Sequence, residues 1–309
     1  MVEKKLYKKV KPFFMIVETP LHAGSGSDLG IVDLPIQRER HTSYPKIESS
    51  TIKGCIRNAF EMKLENAKKE NIPLVFGPKE GDAHAGALGF TDARLLLFPV
   101  KSMKGVFAWV TCKRVLEKFK ADLKLTGEKI TVPTENSAPE GCELFIGGSI
   151  ILEEYTFSGI NTNEECTLFA EWLAKNILPQ DEIYNYWREK IKRDIVVLSD
   201  DDFRDFVNLS TEVVTRTKIN PKTGTVESGA LFTEEYLPSE SILYSLALAT
   251  PIFNPNKNEN EIKDENYVMN FFTNNLPEII QIGGNSTLGK GLVRLVVPGR
   301  EKEEGKVNE

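Results

Sequence analysis

The sequence predicts an α+β fold of the ferredoxin-like type, a sheet carrying helices on one face. Three observations lead there. A β-α-β-β order is legible in the first part of the chain, apolar strand-like runs resume near its end, and an alternating segment folds back on itself around "NPKTG". The 309 residues are enough for one elaborated domain spanning 1–309, with insertions rather than a second core.

The elements follow in order. Residues 10–19, "VKPFFMIVET", are aromatic and β-branched and stop at Pro20, which describes a strand. A loop follows, "GSGSDLGIVDLPIQRERHTSYP" from 24 to 45; a connection of that length inside a compact domain usually binds, catalyses or is disordered. In "SSTIKGCIRNAFEMKLENAKK", Ile52, Ile56, Phe60 and Leu64 recur every four residues, so a helix is expected, with Ser49 or Ser50 as its cap. Lys53 and Arg57 share a neighbouring face of it, at the mouth of the loop. "ARLLLFPV" and "GVFAWVT" read as strands and "KRVLEKFKADLK" as an amphipathic helix with Val115, Phe119 and Leu123 inward. Residues 125–147 are polar and turn-rich, an excursion from the core. "TLFAEWLAKNIL" and "EIYNYWREKIK" suggest a helical insertion over 160–208. Residues 209–238 predict a β-hairpin whose basic positions suit an anionic partner. "SILYSLALATPIF" reads as a buried strand, and "IIQIGGNSTLGKGLVRLVVPG" as strand, glycine-rich turn, strand; a charged tail ends the sequence.

Composition narrows the function. No apolar run reaches membrane-helix length, and the basic start is followed by too short an apolar stretch for a secretory signal, so no membrane partner and a cytoplasmic location are expected. Four cysteines lie far apart, without the paired spacing of a zinc ribbon, and three histidines are scattered. The net charge of −6 argues against nucleic acid for the chain as a whole, yet residues 36–57 hold Arg38, Arg40, Lys46, Lys53 and Arg57 against only Glu39 and Glu48. A phosphate backbone responds to that local field.

The motifs admit alternatives. "GNSTLGKG" nearly matches a phosphate-binding P-loop but places Gly291 where a magnesium-holding Ser or Thr is needed, and a strand follows instead of a helix. Nucleotide hydrolysis is therefore rejected; the turn is either an unliganded β-turn or a backbone cradle for phosphates, assisted by Lys290. A loop aspartate is often an Asx cap. Asp28 and Asp33 sit among cations, where a carboxylate also serves as proton acceptor, metal ligand or orienter of a sugar 2′-hydroxyl. His22 is either a structural histidine at a strand end or a group that touches RNA. Glu234, Glu235 and Tyr236 either reach the same place or form a solvated face.

Taken together, "HAGSGSDLGIVDLPIQRERHTSYPKIESSTIKGCIR", "LLLFPVKSMKGVFAWVT", "TGTVESGALFTEEYLPSE" and "QIGGNSTLGKG" resemble the backbone subunit, conventionally the fourth, of the Cmr (type III-B) CRISPR effector complex, within the repeat-associated mysterious protein (RAMP) superfamily. The resemblance implies a ferredoxin-like, RNA-recognition-type palm with a β-hairpin thumb and helical insertion. It also implies copies stacked along one CRISPR RNA, each thumb displacing a base, and cutting of the target single-stranded RNA paired to that guide. The aspartate of the family's "VD-PIQR" motif, needed for cutting, corresponds to Asp33, here followed by leucine. His22, Glu234 and Tyr236 match positions lining the cleavage site, and Lys53 matches a guide-contacting lysine. The RNA-binding set expected in full is Arg38, Arg40, Lys53, Arg57, Arg216, Lys218, Gly283, Gly284, Asn285 and Lys290. A divalent cation, magnesium or manganese, is expected to assist, with no site assigned. The partners implied include other Cmr subunits, among them the large Cas-ten-type subunit and the small subunit. If the 2′-hydroxyl attacks its own phosphate, the products carry a 5′-hydroxyl and a cyclic or 3′ phosphate. Two other functions compete: a non-catalytic RNA-binding scaffold, and a guide-processing RAMP endoribonuclease.

Overall fold

The computed structural model describes residues 7, 9–27, 30–79, 84–252 and 263–300. Asp28 and the charged tail beyond residue 300 lie outside them.

Strand β1 (Lys9–Val17) is followed by the long loop, by the two-residue strand β2 (Lys46–Ile47) and by helices α1 (Ser49–Lys63), α2 (Asn66–Lys69) and α3 (Ile72–Phe76). The expected helix over 49–69 is thus broken: Leu64 turns extended, and α2 restarts after it. Neither serine caps α1. Its first N–H groups are met from elsewhere, because Asp92 Oδ1 accepts from Ser49 N at 2.9 Å while Oδ2 holds Lys46. Strands β3 (Leu88–Phe90), β4 (Ala93–Lys101) and β5 (Phe107–Cys112) and helix α4 (Lys113–Lys124) come next.

Beyond α4 the chain forms β6 (Ser137–Pro139), the small hairpin β7 (Ile150–Leu152) and β8 (Tyr155–Phe157), β9 (Asn161–Asn163), α5 (Glu164–Asn176), α6 (Asn185–Arg193), β10 (Ile195–Leu198) and α7 (Asp200–Leu209). Residues 137–139 are no excursion: β6 is buried and joins the main sheet. The 160–208 stretch contains the expected helices but also β10, four buried residues paired in parallel with β5 from Ile195↔Trp109 to Leu198↔Cys112. Hairpin strands β11 (Glu212–Ile219) and β12 (Val226–Tyr236) follow, then β13 (Ile242–Ala249), α8 (Glu265–Asn275), β14 (Ile279–Gln281) and β15 (Leu292–Val296). Helix α8 was not anticipated; Asp264 caps it through Tyr267 N.

The main sheet runs β14-β15-β1-β13-β4-β5-β10-β6-β9. Its middle, β15-β1-β13-β4, has α1 between β1 and β4 and α8 between β13 and β15, a split β-α-β pair of the ferredoxin-like type. The third core strand is therefore β13, paired with β1 from Lys9↔Ala249 to Ile16↔Ile242, and β5 extends the sheet outward from β4. Helices α1 and α8 share one face, where Phe60 meets Phe271 at 5.8 Å and Phe13 meets Phe272 at 5.6 Å. The other face is covered too. Phe14, pointing opposite to Phe13, packs on Phe119 of α4 and Trp172 of α5. Both phenylalanines are fully buried, which is why β1 reads as an unbroken apolar run. Among the described residues no helix is long and apolar enough to cross a membrane.

The hairpin stands apart as its own two-stranded sheet, registered from Glu212↔Tyr236 to Thr217↔Leu231 and closed by a turn in which Gly224 (φ +68°) donates to Asn220 O. Opposed residues share a face. One face presents Val213, Thr215, Thr217, Leu231 and Thr233; the other presents Val214, Arg216, Phe232, Glu234 and Tyr236.

Candidate nucleic-acid interface

The long loop is folded, not slack. It closes on itself through bridges Gly24↔Ile36 and Arg38↔Pro45, and it lies along the edge of β12 left free by β11. Leu21 pairs with Leu237 and Leu34 with Glu234; Leu34 N donates to Thr233 O and Glu235 N to Leu34 O, each at 3.0 Å. The loop is thereby bridged to the free edge of β12 at the root of the hairpin.

That pairing fixes Asp33. Its Oδ2 accepts from Thr233 N at 2.7 Å and from Thr233 Oγ1 at 2.8 Å, while Asp33 N donates back to Thr233 Oγ1 at 2.9 Å. The carboxylate occupies the place of the next carbonyl in a β-ladder. The Thr233 backbone N–H and then its hydroxyl hold the Asp33 carboxyl below the usual carboxylate range, and the residue is exposed. Among the described residues it forms no ion pair, and both hydrogen bonds from Thr233 go to Oδ2 rather than Oδ1.

Side-chain alternation on β12 then divides the neighbouring acids. Glu235, 5% exposed, turns into the scaffold: Oε1 accepts from Arg38 Nη2 at 2.5 Å and Thr211 Oγ1 at 2.8 Å, and Oε2 from Ile36 N at 2.9 Å. Arg38 also donates to the carbonyls of Ser43 and Val207 and to Asn208 Oδ1. Expected as an RNA contact, it is consumed as a strut of the loop.

Glu234 turns the other way, into a cluster drawn from four segments. Tyr236 OH donates to its Oε2 at 2.6 Å and Asn285 Nδ2 to its Oε1 at 2.6 Å; Arg216 Nε stands 3.3 Å from Oε2 and His22 Nε2 3.6 Å from Oε1. Arg216 and Asn285 also donate to the Tyr236 oxygen, at 2.5 and 2.9 Å, and Lys290 Nζ lies 4.9 Å from the centre of that ring. His22 Nδ1 is 2.7 Å from Glu235 O; a carbonyl only accepts, so Nδ1 carries the proton and Nε2 faces the cluster. The glycine-rich turn reaches the site because Gly284 N donates to His22 O, and Gly283 (φ +81°) approaches so closely that an added Cβ would lie 2.1 Å from that oxygen.

Of the expected site residues, the structure joins His22, Arg216, Glu234, Tyr236, Gly283, Gly284, Asn285 and Lys290. Asp33 is one strand position away, bonded to Thr233 rather than to the cluster. Lys218 pairs with Glu227 farther out on the hairpin, Arg40 is exposed on the loop, and Arg57 pairs with Glu61 on α1. Lys53 is partly buried and without an acidic partner among the described residues; burial and then Arg57 lower its pKa. Thr233 was missed, since only the register of loop against hairpin reveals it.

Burial pushes Glu234 upward, but the hydrogen bonds from Tyr236 and Asn285, with His22 and Arg216 nearby, outweigh it and hold this carboxyl below its ordinary value. Stability from a depressed folded value is present above the unfolded pKa, about 4.3 for glutamate, and is lost as pH falls through the folded one. Glu234→Gln is accordingly expected to be less stable at neutral pH and to lose less stability on acidification from about pH 5 to pH 2. Circular dichroism against denaturant at several pH values measures both.

Among the described residues no three His, Cys, Asp or Glu side chains converge to hold a metal ion. The donors do not fit an all-protein cage. Asp33 offers one carboxylate oxygen, so a cation there would take most of its oxygen ligands from a bound partner, the mode in which magnesium is often bound.

Comparison with known proteins gives a consistent result. The model of the RAMP superfamily matches residues 15–294. The chain is 41% identical over 286 residues to the CRISPR system Cmr endoribonuclease Cmr4 of Pyrococcus furiosus, covering 90% of this chain and 92% of that one. It is 30% identical over 319 residues to the CRISPR system CMR subunit Cmr4 of Saccharolobus solfataricus, covering 96% and 98%. A crystal structure of oligomeric Cmr4 from Pyrococcus furiosus superimposes with a TM-score of 0.68 at 31% identity, covering 95% of this chain and 99% of that one.

Proposed function

This chain belongs to the RAMP superfamily, and from that premise we infer that it is the CRISPR-RNA-binding backbone subunit of a type III-B Cmr complex, an endoribonuclease cutting target RNA paired to the guide. It works in the cytoplasm with further copies of itself and with the other Cmr subunits, the large Cas-ten-type and the small subunit included. One observation carries the assignment of the chemistry: an exposed aspartate, Asp33, is pinned to the root of a hairpin through one carboxylate oxygen while the other stays available.

With Oδ2 held by Thr233, Asp33 Oδ1 accepts the hydrogen bond and then the proton of the 2′-hydroxyl as that oxygen bonds to the adjacent phosphorus; the 5′ oxygen leaves and is protonated by solvent, giving a cyclic phosphate and a 5′-hydroxyl. A magnesium or manganese ion held between Asp33 and RNA phosphates would add Lewis acidity. His22, Glu234 and Tyr236 are largely buried against one another. They hold Arg216 in place, with Lys290 beside the Tyr236 ring and Asn285 bridging Glu234 and Tyr236, so that the two cations suit a phosphate backbone. Sequence specificity comes from base pairing, since the protein offers backbone-shape contacts.

The deciding experiment measures cleavage and target binding in parallel for complexes reconstituted with Asp33→Asn. A second prediction separates the cations of α1. Lys53→Ala is expected to weaken guide binding and lower the slope of log affinity against log salt by about 1. Arg57→Ala should change that slope less, because Glu61 already neutralises Arg57. Equal slopes for both variants and the parent chain, in filter binding across a salt series, would remove Lys53 from the guide path.

A further inference from the structure

We propose that Thr233 is a positioning residue for RNA cleavage: its hydroxyl and backbone N–H hold Asp33 Oδ2 so that Oδ1 faces the scissile nucleotide. The proposal rests on the reading of Asp33 as the carboxylate at the reacting hydroxyl and adds the group that makes that carboxylate usable.

An exposed aspartate on a loop samples several rotamers, and most of them point away from any one substrate atom. Asp33 does not have that freedom. Three hydrogen bonds tie its backbone and side chain to a single residue: Thr233 N to Oδ2 at 2.7 Å, Thr233 Oγ1 to Oδ2 at 2.8 Å, and Asp33 N to Thr233 Oγ1 at 2.9 Å. The hydroxyl's one proton goes to Oδ2 and one of its lone pairs takes Asp33 N. Nothing else in the described chain does this work: the cations near Asp33 in sequence are committed elsewhere, Arg38 to Glu235 and its neighbouring carbonyls, while Arg40 is exposed.

The residue type fits the role. Thr233 lies on β12, an element of the scaffold rather than of the loop, and a β-branched side chain is stiff at χ1. Its Oγ1 is therefore a fixed point, and a group held by a rigid element is placed more precisely than one held by a loop. Thr233 also precedes Glu234, which anchors the His22, Tyr236 and Asn285 cluster, so one strand sets the spacing between the two halves of the site. Thr233 shares its stripe with Val213, Thr215, Thr217, Leu231 and Glu235; of these only Glu235 also bonds the loop, at Ile36 and Arg38, two positions along the strand from Thr233.

The test uses the reconstituted complex with Thr233→Val, which keeps shape and β-branching and removes the hydroxyl, alongside Thr233→Ser, Asp33→Asn and the double variant. Single-turnover cleavage by Thr233→Val is expected to fall about 10- to 100-fold, the scale of a misplaced reacting group. Target affinity and thermal midpoint should stay at parent values. Exchange of the Asp33 amide should quicken, since its acceptor is gone, and Thr233→Ser should restore most of the rate. The double variant should be no slower than Asp33→Asn alone, because the two residues act as a unit. Parent-like cleavage by Thr233→Val beside an inactive Asp33→Asn would overturn the proposal and leave the Asp33 assignment intact. So would a loss of midpoint and binding in step with the loss of rate, which would make Thr233 merely structural. Parent-like cleavage by Asp33→Asn would overturn both.

Discussion

Asp33→Asn is expected to lower cleavage of guide-paired RNA by roughly 10²-fold or more, with target affinity unchanged within about twofold. Asparagine is the right replacement because its amide oxygen can still accept from Thr233 N and Oγ1, leaving the loop where it is. What disappears is the negative charge and one acceptor at the second position of the side chain. Because the residue is exposed and forms no ion pair among the described residues, the thermal midpoint should hardly move. Regularly spaced cuts that vanish while binding persists would place the chemistry at Asp33. Cuts that persist would make Asp33 a loop cap, with cleavage supplied by another group of this chain or by a neighbouring subunit.

The second large effect is on stability, and it concerns a neighbour of almost identical chemistry. Glu235→Ala is expected to destabilise the chain by roughly 2–4 kcal/mol, because removing one partner of a buried, hydrogen-bonded ion pair leaves the others unmatched. Ile36 N and Thr211 Oγ1 lose their acceptor, and Arg38 loses its carboxylate partner while its other bonds tie it to Ser43, Val207 and Asn208. Since those contacts close the loop over residues 34–38, cleavage should fall with the midpoint. Urea titration of the parent, Glu235→Ala and Glu234→Gln gives the comparison. A Glu235→Ala variant as stable as the parent would mean that the loop is held by its backbone bridges alone.

The legible and illegible parts of this protein divide along physical lines. Elements whose signal is local were readable: β1 and β13 from their apolar runs, α4 from its four-residue spacing, the hairpin from "NPKTG" between alternating strands. Interactions closed across long sequence separations were not. Asp92 receives the N–H of Ser49 at the start of α1 from a different segment, and neither Ser49 nor Ser50 serves as the cap. The strand β10 is four residues between a charged helix and an acidic one, too short to show a period, yet it is buried beside β5. The same limit governs the site. Residue types marked Asp33, His22, Glu234 and Tyr236 as candidates, and the resemblance selected them. What neither showed is that Glu235 turns into the scaffold with Arg38 and that the bridge Leu34↔Glu234 brings Thr233 to Asp33.

The order of strands carries a consequence for synthesis. Strand β1 is made before its neighbours in the sheet, β13 and β15, which come near the end of the matched span. His22 likewise waits for Gly284 to bond its carbonyl and for Asn285 to meet Glu234. A growing chain thus carries the loop of Asp33 long before it can close the cluster around Glu234.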